Sequence, residues 1–221
     1  METKKENTNQ EIRLVMRENL YISGVVEVVR FDELSVVLQT VCGELTVDGK
    51  DIKILEMGKP LTIHIARGLG EPSLIYHQGT YYMTLRNDEC GLVARSEDGL
   101  NYTELQHWKW DDESILQNYN TQQHWMKVED ELYLVYTRRG ADNDHVFRHR
   151  APLFASRVEN MRLVRDSEFV VVRERGARLG NFGVTHLKDG KAMVMAAEWM
   201  QPEGCEAYGS DNSIFVSVIE K

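Results

Sequence analysis

The sequence predicts an all-β protein: a small antiparallel β-meander followed by a partial β-propeller of about three blades. Three observations carry this expectation. Residues 20–57 are dense in Val, Ile, Leu and Thr, in short runs separated by tight-turn signals. After position 60 a strand–turn–strand pattern recurs three times. Composition also shifts there, because all four Trp, all seven His and all four Pro lie at or beyond position 60.

With 221 residues, 42% of them hydrophobic, the chain can build one medium domain or two small ones around a real core. No apolar run approaches the roughly 20 residues that span a bilayer, so no membrane partner is expected. The start, METKKENTNQEIR, has no apolar leader, and the expected location is cytoplasmic. A net charge of −9 argues against a nucleic-acid partner, since phosphate attraction needs a positive surface. Cys42, Cys90 and Cys205 lie far apart with no C-x-x-C pair. Neither a disulfide framework nor a Cys-rich zinc site is expected, and no metal or cofactor is called for.

Residues 1 to about 11 are polar and read as a disordered N-terminal tail. The meander follows as LYISGVVEVV, LSVVLQTV, GELTVDG and DIKILEM. Turns are expected at Phe31-Asp32-Glu33, Cys42-Gly43-Glu44 and Asp48-Gly49. Over residues 10–57 this pattern, with Gly24, Phe31, Leu38, Thr40, Gly43, Leu45 and Gly49, resembles the YabP/YqfC family of sporulation proteins. The resemblance implies a part in spore formation through assembly, with no chemistry. Near Gly58-Lys59-Pro60 the character changes, which divides the chain into residues 1–57 and 58–221.

The three repeat copies are PSLIYHQGTYYMTLR, QHWMKVEDELYLVYTRR and FGVTHLKDGKAMVMAAEW. Tyr81, Tyr133 and Ala192 take equivalent places, at spacings of 52 and 59 residues. Propeller blades are four-stranded antiparallel sheets recurring at about 40–50 residues, and insertions lengthen them. Between the first two copies, Ser96-Glu97-Asp98-Gly99-Leu100-Asn101-Tyr102 resembles the Asp-box hairpin of sialidases. Asp98 would accept backbone N–H bonds there while Gly99 takes positive φ.

Residues 61–221 resemble the C-terminal part of a sialidase-like β-propeller glycoside hydrolase. The segments that carry the likeness are RGLGEPSL, YYMTLRND, SEDGLNY, NYNTQQHW, VYTRRGADNDHVFRHRAPLF, ERGARLGNFGV and GSDNSIF. The resemblance implies that Glu71 serves as a base and Arg86 as a carboxylate or hydroxyl clamp; an ordinary hairpin-end ion pair is the alternative. Residues 138–178 hold ten of the sixteen Arg and a local net charge of +4. Arg138, Arg139 and Arg178 lie beside repeat ends and are candidate ligand donors, with Asn181 adding an amide; solvated surface arginines are the alternative. Asp142 and Asp144 are candidate general acids in an otherwise Asx-rich turn. Gln123 and His124 follow a run of amides suited to sugar hydroxyls.

The expected function is recognition of a glycan, or of another hydroxyl-rich or anionic small ligand, or glycoside hydrolysis through Glu71, Asp142 or Asp144. The early blades of a sialidase-like ring have no counterpart in residues 1–57. The chain is therefore expected to be incomplete, inactive alone, or completed by self-association. A non-enzymatic assembly protein of the YabP type is the alternative, and a fusion or truncated product without integrated activity is another.

Overall fold

The structure is a computed structural model and describes residues 10–16, 18–54, 61 and 68–221. Most of the expected N-terminal tail and the expected junction at Gly58-Lys59-Pro60 lie outside the described residues. The chain divides into two compact units, Met1–Met57 and Gly58–Lys221. Every regular element longer than a 3₁₀ turn is a strand, and the strand pairs are antiparallel throughout both units. No helix is long and apolar enough to cross a membrane among the described residues.

In the first unit β1 (Ile12–Val15) pairs with β2 (Asn19–Ile22). Then β3 (Val25–Phe31), β4 (Ser35–Thr40) and β5 (Gly43–Asp48) form a meander in the order β3-β4-β5. The expected single strand LYISGVVEVV is split at Gly24, whose φ of 70° only glycine adopts readily. Asp32 fixes the β3–β4 turn by accepting the amides of Leu34 and Ser35 at 2.9 and 2.8 Å. DIKILEM does not continue the sheet in its described part: Asp51 sits at φ 53° and residues 51–54 form no strand. The Ile52 amide instead donates to the Glu33 carbonyl at 2.9 Å. The IRLV strand before the meander escaped the sequence reading, being a short run beside the polar tail.

The described residues of the second unit form three sheets. The first is β6 (Gly70–His77), β7 (Thr80–Arg86), β8 (Leu92–Ser96) and β9 (Gln106–His107) in sequential order. The second orders β10 (His124–Val128), β11 (Glu131–Tyr136), β12 (Leu153–Glu159) and β13 (Arg162–Leu163), with β14 (Phe169–Val172) also on β12. In the third, β15 (Arg178–Leu179), β16 (Gly183–His186) and β18 (Ile214–Ile219) all pair with β17 (Ala192–Trp199). The three repeat copies are the hairpins β6–β7, β10–β11 and β16–β17.

Period-two alternation explains the packing. Trp125, Leu134 and Tyr136 join Val93, Trp108, Trp110 and Leu163 in one buried cluster. The intervening Met126 and Val135 join Leu153, Ala192 and Val194 in another. The second sheet is thus buried on both faces, which accounts for its nearly continuous apolar strands. Between the first two sheets, buried polar groups are joined. Trp108 Nε1 donates to Thr84 Oγ1 at 2.9 Å, and Thr84 Oγ1 donates to Gln123 Oε1 at 2.6 Å.

Candidate functional site

The chains of β7, β11 and β17 all leave their hairpins at the end opposite the tight turn, at Arg86, Tyr136 and Trp199. The strands β6, β10 and β16 enter at that same end, at Gly70, His124 and Gly183. Loops joining successive sheets therefore bring residues from all three hairpins to one end of the strands.

Glu71 stands on a bulge between Gly70 and Ser73 and takes φ 45°, rare for a side chain with a Cβ. Its Oε2 lies 3.1 Å from Arg86 Nη1. Arg86 Nη2 donates to Asn120 Oδ1 at 2.6 Å and lies 3.4 Å from Asp88 Oδ1. Asn120 is itself left-handed at φ 49°, and its amide donates to the Asn87 carbonyl at 2.9 Å. A hollow of about 200 Å³ opens beside this pair, lined by Gly68, Leu69, Gly70, Arg86, Asn87 and Asp88. His124 packs edge-on against Phe182, with ring centroids 5.1 Å apart. Burial holds its imidazole below the ordinary range, and the Glu71 carboxylate opposes this.

Two arginines complete the cluster. Arg150 is 8% exposed, and its Nη2 donates to Asn181 Oδ1 at 3.0 Å. Burial first, then the charge of Arg178, pushes its guanidinium down to about 10; Glu71 acts in the opposite direction, and Arg86 and Arg148 lower it further. Arg178 is 6% exposed, with its guanidinium 3.8 Å from the Trp199 ring centroid and 5.2 Å from that of Phe147. Its Nε is buried without a hydrogen-bond partner. Burial and Arg148 lower it as well. Arg178, Glu71, Arg86 and Arg148 therefore all act on Arg150, with more positive than negative charge.

The remaining sequence candidates are distributed differently. Arg138 is committed elsewhere: Nε and Nη2 donate to Glu168 at 2.8 and 2.7 Å, and the same carboxylate accepts the Tyr136 hydroxyl at 2.7 Å. Arg139 lies with its guanidinium 3.8 Å from the Tyr119 ring centroid. Gln123 is buried in the Thr84 network between sheets, so its Oε1 is used. Asp142 is exposed at φ 51°. Asp144 is exposed and lies 3.1 Å from His149. Between them Asn143 is buried and donates to the carbonyls of Arg138 and Ala151, at 3.0 and 2.7 Å. Glu198 is buried and accepts the amides of Asp211 and Ser213 at 3.1 and 2.9 Å.

Sequence reasoning brought Glu71, Arg86, His124, Arg178 and Asn181 to notice. It gave no separate place to Arg150, one of the ten arginines of residues 138–178, and passed over Phe147 and Trp199. Only the opposing repeat ends, Arg86 and Trp199, offered a signal for the latter.

Residues 6–63 match the YabP family model. That match ends near the boundary between the two units and covers none of the cluster just described. No curated protein matches the chain. Among solved structures, the chain is similar to Trypanosoma rangeli sialidase in complex with sialic acid, at 14% identity and TM-score 0.45, covering 83% of this chain and 28% of that one. It is also similar to a Bombyx mori β-fructofuranosidase of glycoside hydrolase family 32, at 13% identity and TM-score 0.45, covering 87% and 47%. A thermostable family-43 glycoside hydrolase matches at 13% identity and TM-score 0.41, covering 59% and 41%. The chain spans less than half the length of each of these structures.

Proposed function

We propose that Gly58–Lys221 forms three propeller blades whose shared end binds an anionic, hydroxyl-rich ligand, a sugar acid. The single observation that carries this reading is the pair of buried, positively charged side chains, Arg150 and Arg178, with no carboxylate hydrogen-bonded to either among the contacts described. A buried guanidinium without a counter-charge is destabilising, and an arriving oxyanion relieves it with two parallel hydrogen bonds. Asn120 and Asn181 supply amides for hydroxyl groups, and the exposed ring of Trp199 supplies a flat apolar face. Arg86 acts as a further clamp. Within this reading Glu71 is the base of a glycoside hydrolysis and Asp142 its acid, while Asp144 is left to its contact with His149. Arg138 and Gln123 serve as supports, because the Arg138 guanidinium is held by Glu168 and Gln123 Oε1 by Thr84 inside the fold.

Titration calorimetry tests the ligand class. Glucuronate, galacturonate and N-acetylneuraminate are expected to bind, glucose and galactose not. Arg178→Met is expected to weaken the acids at least tenfold. Equal affinity for acids and neutral sugars overturns the reading. Hydrolysis is tested with aryl glycosides and sialosides: equal rates for wild type and Glu71→Gln remove Glu71 from the chemistry.

A second reading concerns Met1–Met57 alone. The YabP match and the exposed apolar residues Val26, Val29, Phe31 and Val41 support an assembly role for this unit, separate from the sugar-binding end. Sedimentation of wild type against Val29→Lys tests it; unchanged association across a wide concentration range argues against it.

A further inference from the structure

Adjacent in sequence to Asn120 and Arg150, three side chains form a hydrogen-bonded line that the sugar-acid reading leaves unused as a unit. Asp144 Oδ1 lies 3.1 Å from His149 Nε2, and His149 Nδ1 lies 2.6 Å from the Tyr119 hydroxyl. The proton positions follow from what each group can do. An ionised carboxylate only accepts, so Nε2 carries the hydrogen. A neutral imidazole then has a bare Nδ1, and the phenol must donate to it. The result is a hydroxyl facing a base that a carboxylate orients.

The surroundings favour this arrangement. Arg139 places its guanidinium 3.8 Å from the centre of the Tyr119 ring, a cation–π contact that holds the ring in place. His149 is 20% exposed in its side chain. Buried Asn143 and Val146 pin the loop that carries it, and the His149 amide donates to the Val146 carbonyl at 2.9 Å. Arg148 and His149 take φ of 60° and 52°, two successive left-handed residues that are not glycine. Such conformations are unfavourable for residues with a Cβ and gather where a side chain must be aimed. Each end of the line is also next in sequence to the cluster: Tyr119 precedes Asn120, the partner of Arg86, and His149 precedes Arg150.

We propose that Tyr119, His149 and Asp144 form a proton relay that serves the ligand at the arginine cluster. His149 Nδ1 takes the phenolic proton of Tyr119 and becomes imidazolium, held by Asp144. The phenolate oxygen takes a proton from a hydroxyl or water beside the ligand, which keeps the electron pair of the broken O–H bond. One proton thus passes from that oxygen to His149, and the reverse path returns it. The use of the proton rests on the sugar-acid reading; the relay itself does not.

Nitration by tetranitromethane, located by peptide mass spectrometry, tests it on the full chain without any ligand, because the reagent attacks the phenolate form. Tyr119 is expected to react several-fold faster than the more exposed Tyr76 and Tyr208. His149→Asn, which removes the base yet tolerates positive φ, is expected to abolish that advantage. No advantage in wild type, or an unchanged one in His149→Asn, overturns the relay. Nitrogen-15 spectra of wild type supply a measurement that needs no variant: hydrogen on Nε2 of His149 supports the relay, and hydrogen on Nδ1 with Nε2 bare overturns it. The two readings fail separately. If sugar acids do not bind but Tyr119 keeps its reactivity, the ligand is wrong and the relay stands. If they bind and Tyr119 is unreactive, the relay is wrong and the ligand stands.

Discussion

Arg150 pays an electrostatic penalty that a methionine would not. Its guanidinium is held down to about 10 by burial and by Arg178, well below the ordinary arginine range. It remains charged at neutral pH, so in the unliganded protein it stands as a buried cation. The sign follows from proton counting: above about 10 the unfolded chain holds this proton more tightly than the folded one, so the group's contribution to stability rises with pH there. At neutral pH its contribution is unfavourable. Arg150→Met is therefore expected to raise the thermal midpoint of the free protein while abolishing sugar-acid binding, a pair of outcomes readable by calorimetry. A lowered midpoint would mean that the Asn181 hydrogen bond outweighs the charge. Thr84 presents the opposite case. Its hydroxyl links Trp108 to Gln123 where all three side chains are buried. Thr84→Val leaves the indole N–H without its acceptor and is expected to cost about 1–3 kcal/mol in urea unfolding.

Among the elements, the turn after β8 depends on one carboxylate. Asp98 accepts the amides of Leu100 and Asn101, each at 2.8 Å, together with the Asn101 side chain and the Ser96 hydroxyl. These bonds hold its carboxyl well below the usual range. A lowered folded-state value means stability that is present above the unfolded carboxylate range and is lost as pH falls below about 4. Asp98→Asn is expected to melt below wild type at pH 7, with the gap closing between pH 4 and pH 2. A gap independent of pH would assign the effect to the turn shape alone.

Elements and site were legible in the sequence to different depths. The three hairpins could be read because their strands alternate and their turns carry glycine or acidic pairs, as in Gln78-Gly79 and Glu129-Asp130. The short strands β1 and β15 could not, because two to four residues hold no period. Glu71 and Arg86 stood out as opposite ends of one hairpin, and they do meet. The engagement of Arg138 was hidden, since its partner Glu168 lies across the second sheet and no local spacing predicts it. The Tyr119–His149–Asp144 line was hidden for a related reason: it depends on left-handed backbone at Arg148 and His149, which neither residue type signals.

At the scale of the whole molecule the two units differ in how much they enclose. In the first, the described buried side chains are Ser35, Val36, Leu38 and Thr40, all on β4. The second encloses clusters with three tryptophans, Trp108, Trp110 and Trp125. Burial of apolar surface sets resistance to opening. Amides of β3–β5 are expected to exchange with deuterium much faster than those of β10–β12 and β17, as read by mass spectrometry of peptides. Equal protection would show that the thin core of the first unit is not its main support.

The arginine held against Trp199 offers an optical test of the proposed sugar-acid end. Of the four tryptophans, three are nearly sealed from water, whereas Trp199 is 54% exposed with a cation against its ring. Its emission is expected at the long-wavelength edge of the spectrum, apart from that of the others. A ligand that draws the guanidinium away from the indole changes that edge alone. If the proposed ligand binds there, that edge is expected to report its occupancy, and Trp199→Phe is the blank against which it is read.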